Sequence, residues 1–204
     1  MKDAVLVLGA GSRPTMNLFT GGRENLITTE DGADPTFSSY FKDVWTVDMV
    51  KEHNPRVVWN LEDHPWPVPH NYFDEVHAYE VLEHLGGPLG DFRGFFNIWR
   101  DIWNCLKPGG LVAATTPWWN SRWAFCDPGH CKVYSPFILH YLDQDGYSQV
   151  GKSTQTDYRQ WWPSPYSFKG LMMGPSGEDV DLAGFVFVLQ KHIYKPEVEN
   201  VSQD

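Results

Sequence analysis

Apolar positions come in two periods along this chain. Short unbroken apolar runs stopped by glycine or a polar cluster, as in "AVLVLG" (4–9), mark strands buried on both faces. "VWTVD" (44–48) and "RVVWNL" (56–61) repeat that pattern, and "DEVHAYEVL" (74–82) begins as a strand and turns helical after Tyr79. The segment "DFRGFFNIWRDIWNCLKPGG" (91–110) instead spaces Phe92, Phe95, Phe96, Trp99, Ile102, Trp103 and Leu106 by three and four, the stripe of a helix lying on a core. Asp91 reads as its N-cap, and Pro108-Gly109-Gly110 ends it. "LVAATTP" (111–117) is a further inner strand. "SPFILHYLDQ" (135–144) is a helix with Ser135 as cap and Pro136 in its first turn. "DLAGFVFVLQKHI" (181–193) is a long strand, with "TDYRQWW" (156–162) as its expected antiparallel neighbour.

Strands alternating with helices predict an α/β fold, a mostly parallel sheet with helices on both faces. Ligands of such sheets bind beyond the carboxyl ends of the strands, where the strand order reverses. The loops after Leu8, Val47, Asn60 and Ala78 are expected to meet there. The chain reads as one domain over 1–195 with a flexible tail over 196–204.

Composition narrows the function. A formal net charge of −10 disfavours loose binding to nucleic acid, which needs a basic face. Three cysteines cannot all pair, which fits a reducing compartment. No apolar run is long enough to span a bilayer. The expectation is a soluble cytoplasmic protein that acts on a small molecule rather than on nucleic acid or a membrane. Its oligomeric state is left open, a dimer included.

"VLVLGAGSRP" sets Gly9 and Gly11 behind the first strand, where glycines let the backbone approach a ligand closely. A dinucleotide fingerprint would carry a third glycine at position 14, which is Pro14. Asp48 ends the second strand, where a carboxylate accepts ribose hydroxyls. It lies 37 positions beyond Gly11, against about 20 in the dinucleotide pattern. A loop of roughly "GGRENLITTEDGADPTFSSY" (21–40) is therefore inserted, and a nicotinamide enzyme is disfavoured.

The block "VVWNLEDHPWPVPHNYFDEVHAYEVLEHL" (57–85), followed by "CLKPGGLVAATTP" (105–117), resembles the class I S-adenosylmethionine-dependent methyltransferases. The likeness runs from about Val5 to Pro117 and more loosely beyond. It implies a Rossmann-like doubly wound sheet ending in an antiparallel hairpin, with S-adenosylmethionine as cofactor. By that resemblance Gly9, Ala10 and Gly11 pass under the methionine and ribose. Asp48 binds the ribose hydroxyls, and Met49 covers an adenine face. Asn60 and Leu61 flank the adenine edge, and Ala78 and Tyr79 line the methionine side. Val7 and Asn60 stand where the family usually has acids.

"EVLEH" adds Glu80, Glu83 and His84, and "DPGHCKVYSPF" adds His130. On a helix Glu80 would share a face with Glu83 and His84. The stretch is similar to one that holds a divalent metal in small-RNA 2′-O-methyltransferases, and to one in ubiquinone-pathway O-methyltransferases. That likeness implies a metal held by Glu80, Glu83, His84 and His130, drawn from manganese, magnesium, iron, cobalt or zinc. Mixed nitrogen and oxygen ligands suit magnesium least. Without metal, the glutamates cap a helix N-terminus and His84 or His130 is the candidate catalytic base. Cys126, His130 and Cys131 form a weaker zinc set lacking a fourth ligand.

Trp118, Trp119, Trp123, Trp161, Trp162, Tyr166 and Phe168 are candidates for an aromatic wall over the acceptor, with core packing as the alternative for half or more of them. "FKGLMMGPSGEDVD" (168–181) reads as a mobile flap. The expected activity is methyl transfer to an oxygen of a small or sugar-bearing acceptor. A metal-dependent RNA 2′-O-methyltransferase is the second reading. Val7, with a chain that opens on its first strand, motivates the third: a non-catalytic S-adenosylmethionine-binding subunit.

Overall fold

The computed structural model describes residues 2–12, 37–175 and 184–195. Seven strands form one sheet: β1 (Lys2–Leu8), β2 (Phe41–Asp48), β3 (Val57–Val58), β4 (Phe73–Tyr79), β5 (Leu106–Pro117), β6 (Tyr166–Pro175) and β7 (Gly184–Ile193). Their spatial order is β3-β2-β1-β4-β5-β7-β6. The first five run parallel, and β7 lies antiparallel between β5 and β6. The chain proceeds from β1 outward to β2 and β3, then returns to β4 on the other side of β1. The order therefore reverses between β1 and β4, and the crevice at their carboxyl ends is the natural ligand site.

β1 is buried on both faces, as its unbroken apolar run predicts. Ala4, Leu6 and Leu8 face the main core, while Val5 and Val7 face a smaller one on the opposite side. The register Val5↔Glu75 and Val7↔His77 places Glu75 and His77 of β4 on that second face. Their side chains pair at 2.6 Å, and His77 Nδ1 lies 2.5 Å from the Tyr79 hydroxyl.

The helices are α1 (Phe37–Tyr40), α2 (Phe92–Cys105), α3 (Trp123–Cys126) and α4 (Pro136–His140). α2 forms where the stripe predicts, with Phe95, Phe96, Trp99 and Ile102 buried. Ile98 and Cys105, outside the stripe, are buried too, while Phe92 and Trp103 are half-buried. Asp91 Oδ1 accepts the N–H groups of Arg93 and Gly94. Ser135 caps α4 through the Ile138 N–H, with Pro136 in its first turn. No helix of the described residues is long and apolar enough to cross a membrane.

Several elements differ from expectation. α2 stops at Cys105, before Pro108-Gly109-Gly110, and Leu106 already pairs with Phe73. Residues 107–110 are a bulge that ends where Leu111 pairs with Glu75. "RVVWNL" pairs only through Val57 and Val58, because Asn60 opens a turn that accepts the N–H groups of Glu62 and Asp63. "TDYRQWW" is not a strand. The Tyr158 carbonyl accepts the N–H groups of both Trp161 and Trp162, making a turn that drops Trp162 into the core. The partner of β7 is β6, the segment read as a flap. Its glycines and Pro175 are tolerated because it is an edge strand, bulged between Gly170 and Met172. The expected inserted loop lies outside the described residues except for Phe37–Tyr40, and so do Pro14 and the expected tail.

Candidate active site

The crevice between β1 and β4 is set by backbone conformation. Gly9 and Gly11 have φ of 57° and 60°, the left-handed region. A Cβ on Gly9 would sit 2.6 Å from Val81 Cγ2, so only glycine lets the turn after β1 approach the turn after β4 this closely. Asp48 ties the neighbouring loops together. Its Oδ2 accepts the Gly11 N–H at 2.8 Å, and its Oδ1 accepts the Val50 N–H at 2.7 Å. Burial raises this carboxyl, but the N–H groups of Val50 and Gly11 and the nearby His53 outweigh it and leave it below the ordinary carboxylate value. Asp48 is thus a fixed anion whose remaining lone pairs can accept hydroxyls. Met49 beside it is 68% exposed, an apolar side chain held at the mouth of the crevice.

Asn60, Leu61, Ala78 and Tyr79 all lie at strand ends or the loops that follow them, but with different atoms on offer. The Leu61 and Ala78 side chains are in the main core, so only their main chains can meet a ligand there. The Leu61 carbonyl already accepts the Trp66 indole N–H, leaving its N–H. The Asn60 amide oxygen accepts the Glu62 N–H. The Tyr79 ring packs toward the second face, against the small core of Val5 and Val7.

"EVLEH" is not an α-helix. Glu80 takes φ of 51°, and among the described residues it is the only one with positive φ that is neither Gly nor Asn. Leu82–His84 then makes a single 3₁₀ turn. The expected shared face of Glu80, Glu83 and His84 therefore does not exist in its helical form. Glu83, His84 and His130 nevertheless converge, each offering a ligand atom within 4.8 Å of the others, and Glu80 stands outside that group. Glu80 instead lies beside the Glu83 carboxyl and acts on it electrostatically.

Glu83 is 2% exposed, and its Oε2 has no hydrogen-bond partner. Burial first, then the Glu80 and Asp127 carboxylates, push it up to about 8 against an opposing bond from its own N–H. His130 Nδ1 is likewise buried without a partner. The His84 and His130 rings meet edge to face at 4.7 Å. His84 Nδ1 lies 3.2 Å from the Gly129 carbonyl, which can only accept, so Nδ1 carries the proton and Nε2 keeps its lone pair when the ring is neutral. The Glu83 carbonyl accepts the N–H groups of Cys131 and Lys132, and so fixes the His130 segment over the turn.

The zinc set does not form among the described residues. The Cys126 thiol is directed to the Trp123 carbonyl and the Cys131 thiol to the Leu85 carbonyl. The aromatic wall divides: Trp162 and Phe168 are core, Trp118 packs on Phe185, and Trp161 packs on Phe92. Trp119 and Trp123 stay exposed in the segment after β5. Sequence reasoning missed the clamp on the loop beyond the turn. Glu62 Oε1 accepts the N–H groups of Gly86 and Gly87, while Lys132 Nζ donates to the carbonyls of Gly87 and Pro88. Only the Gly-Gly-Pro run hinted that this loop needed holding.

No protein-family model and no curated protein matches the chain. Solved structures do. An S-adenosylmethionine-dependent methyltransferase from Clostridium acetobutylicum superposes with a TM-score of 0.52 at 11% identity, over 93% of this chain and 84% of that one. A SAM-dependent methyltransferase from Archaeoglobus fulgidus gives 0.51 at 14%, over 93% and 86%. The N-methyltransferase NodS from Bradyrhizobium japonicum, in complex with S-adenosyl-L-homocysteine, gives 0.50 at 12%, over 93% and 78%. At these identities the likeness is one of fold. The chain has the Rossmann-like, mostly parallel sheet with an antiparallel hairpin that those methyltransferases share.

Proposed function

We propose that this chain is an S-adenosylmethionine-dependent methyltransferase acting on an oxygen of a small or sugar-bearing acceptor. The observation that carries the reading is the Asp48 carboxylate, fixed by the Gly11 and Val50 N–H groups, in a fold that opens its crevice there. Asp48 accepts the ribose hydroxyls, Gly9, Ala10 and Gly11 pass beneath the ribose and methionine, and Met49 covers the adenine. Asn60 and the Leu61 N–H meet the adenine edge, and the main chain of Ala78 and Tyr79 lines the methionine. S-adenosylmethionine, when bound, supplies an electrophilic methyl on a sulfonium. The protein's part is then to align the acceptor oxygen with that methyl and remove its proton. Where no cation occupies the neighbouring cluster, the Nε2 lone pair of His84 is the base.

The orphaned Glu83 Oε2 and His130 Nδ1 also fit a divalent cation, with Glu80 adding negative charge beside them. Such a cation, when bound, supplies Lewis acidity that stabilises an alkoxide. The mixed donor set suits manganese, iron, cobalt or zinc over magnesium. Glu83, His84 and His130 would hold it, and the same cluster keeps a 2′-hydroxyl of RNA as the second reading, against a net charge of −10.

Two variants test the roles. His84→Ala is expected to slow methyl transfer by about a hundredfold while S-adenosylhomocysteine affinity stays within about twofold. Equal losses in both would remove His84 from the chemistry. Calorimetric titration of manganese is expected to give stoichiometric heat with the native chain and none with Glu83→Gln, and a silent native chain would leave His84 as a base without metal.

A further inference from the structure

The geometry points to a recognition pocket for the acceptor beside the candidate centre: a cavity of about 300 Å³ that takes a neutral ring system while the reacting oxygen lies at Glu83, His84 and His130. This rests on the methyltransferase reading and names the class of acceptor. The cavity lies between the first turn of α2 and the segment that carries α4. Tyr158 is its hub, with ring centroids 5.3 Å from Phe92, 5.5 Å from Phe96 and 5.3 Å from Tyr141. Ile138, Val133 and Lys132 also line it.

Three observations select the occupant. The first is that the two opposite charges on the walls are already engaged. The Lys132 ammonium donates to the carbonyls of Gly87 and Pro88, the Asp91 Oδ1 caps α2, and the two charges act on each other. The rest of the lining is largely aromatic and aliphatic, so a charged group entering it would lose its hydration for little return. Aromatic faces and the Tyr141 and Tyr158 hydroxyls remain, and those hydroxyls have no intramolecular partner among the described residues. The second is an apolar entrance: Leu89, on the cavity wall, is 78% exposed. The third is continuity with the centre. His130 and Lys132 are two residues apart, at most about 7 Å of chain, and the Glu83 carbonyl anchors the segment between them. The volume is about twice the ~150 Å³ cavity that takes up benzene. The acceptor is therefore an uncharged molecule with a ring system of one or two rings, carrying its reactive hydroxyl on a short arm.

The test uses the whole chain and two probes: 2-naphthol, and 3-(2-naphthyloxy)propane-1,2-diol, which adds a hydroxyl arm to the same ring. S-adenosylhomocysteine binding is measured first, and its absence would defeat the methyltransferase reading on which this one rests. With that ligand bound, 2-naphthol is expected to bind saturably in saturation-transfer NMR, and anionic naphthalene-2-sulfonate at least tenfold more weakly. Ile138→Trp and Val133→Phe each fill the cavity and are expected to weaken 2-naphthol at least tenfold, with S-adenosylhomocysteine affinity within twofold of native. The diol probe is expected to bind more tightly than 2-naphthol, and His130→Ala to erase that gain. Undiminished 2-naphthol binding in both filled variants would overturn the cavity assignment. Ring binding with no gain from the arm would overturn its assignment to the acceptor and leave the cavity to another ligand, such as a partner's apolar side chain.

Discussion

Gly9 and Glu80 begin the two turns that meet at the crevice, and both hold left-handed backbone. For Gly9 that conformation is free, and the missing Cβ is what lets Val81 come close. Gly9→Ala adds a left-handed cost to a clash, so it is expected to lose about 1–3 kcal/mol in urea unfolding and to weaken S-adenosylhomocysteine. Native stability in that variant would mean the two turns are not packed as described. For Glu80 the same conformation is strain, retained because its N–H is held by the Thr115 carbonyl. Strain of this kind gathers at functional sites, and here it swings the chain from the end of β4 into the turn that buries Glu83. The left-handed turns at Gly9 and Gly11 and the loop-tying carboxylate of Asp48 were legible because residue type at a strand end sets them. The burial of the Leu61 and Ala78 side chains in the core was not marked by their position alone.

Among elements, the existence and cap of α2 were legible, because a three-and-four stripe with an acidic cap has one reading. Its buried face also takes in Ile98 and Cys105, and its end falls before Leu106. "EVLEH" was not, because three residues separate a short 3₁₀ turn from an α-helix only through the backbone at Glu80. The hairpin was half legible: β7 is a long apolar run, whereas β6 carries glycines and a proline that an edge strand tolerates. β7 also carries a group the sequence did not mark. Lys191 is 2% exposed at the end of the sheet opposite the crevice, its Nζ donating to the Leu106 carbonyl and Asn71 and lying 3.7 Å from the Trp103 ring centroid. Burial pushes it down to about 8. The native chain therefore binds fewer protons than the unfolded chain between about pH 8 and 10.5, and stability gains from this group as pH rises through that window. Compared with Lys191→Met, native stability is expected to gain up to about 1.4 kcal/mol per pH unit there and to run level below pH 8. A parallel pair of curves across the window, from urea unfolding, would show the amine is solvated.

At the scale of the molecule, alternation of strands and helices gave the parallel sheet, and the order reverses between β1 and β4, where a crevice opens. What pattern alone did not give is which side chains cross the crevice, since that depends on loops meeting from strands distant in sequence. Asp48 and Gly11 meet across 37 positions, and His84 and Gly129 across 45. A charge of −10 weighs on the same scale, turning the reading away from polyanionic acceptors. The most direct measurement is isothermal titration of S-adenosylhomocysteine into the native chain and into Asp48→Ala. The expected result is one site per chain in the native protein, with affinity at least tenfold weaker in the variant and the fold intact by circular dichroism. A native chain that takes up no S-adenosylhomocysteine, or an Asp48→Ala chain that binds it equally well, would contradict the crevice as a cofactor site.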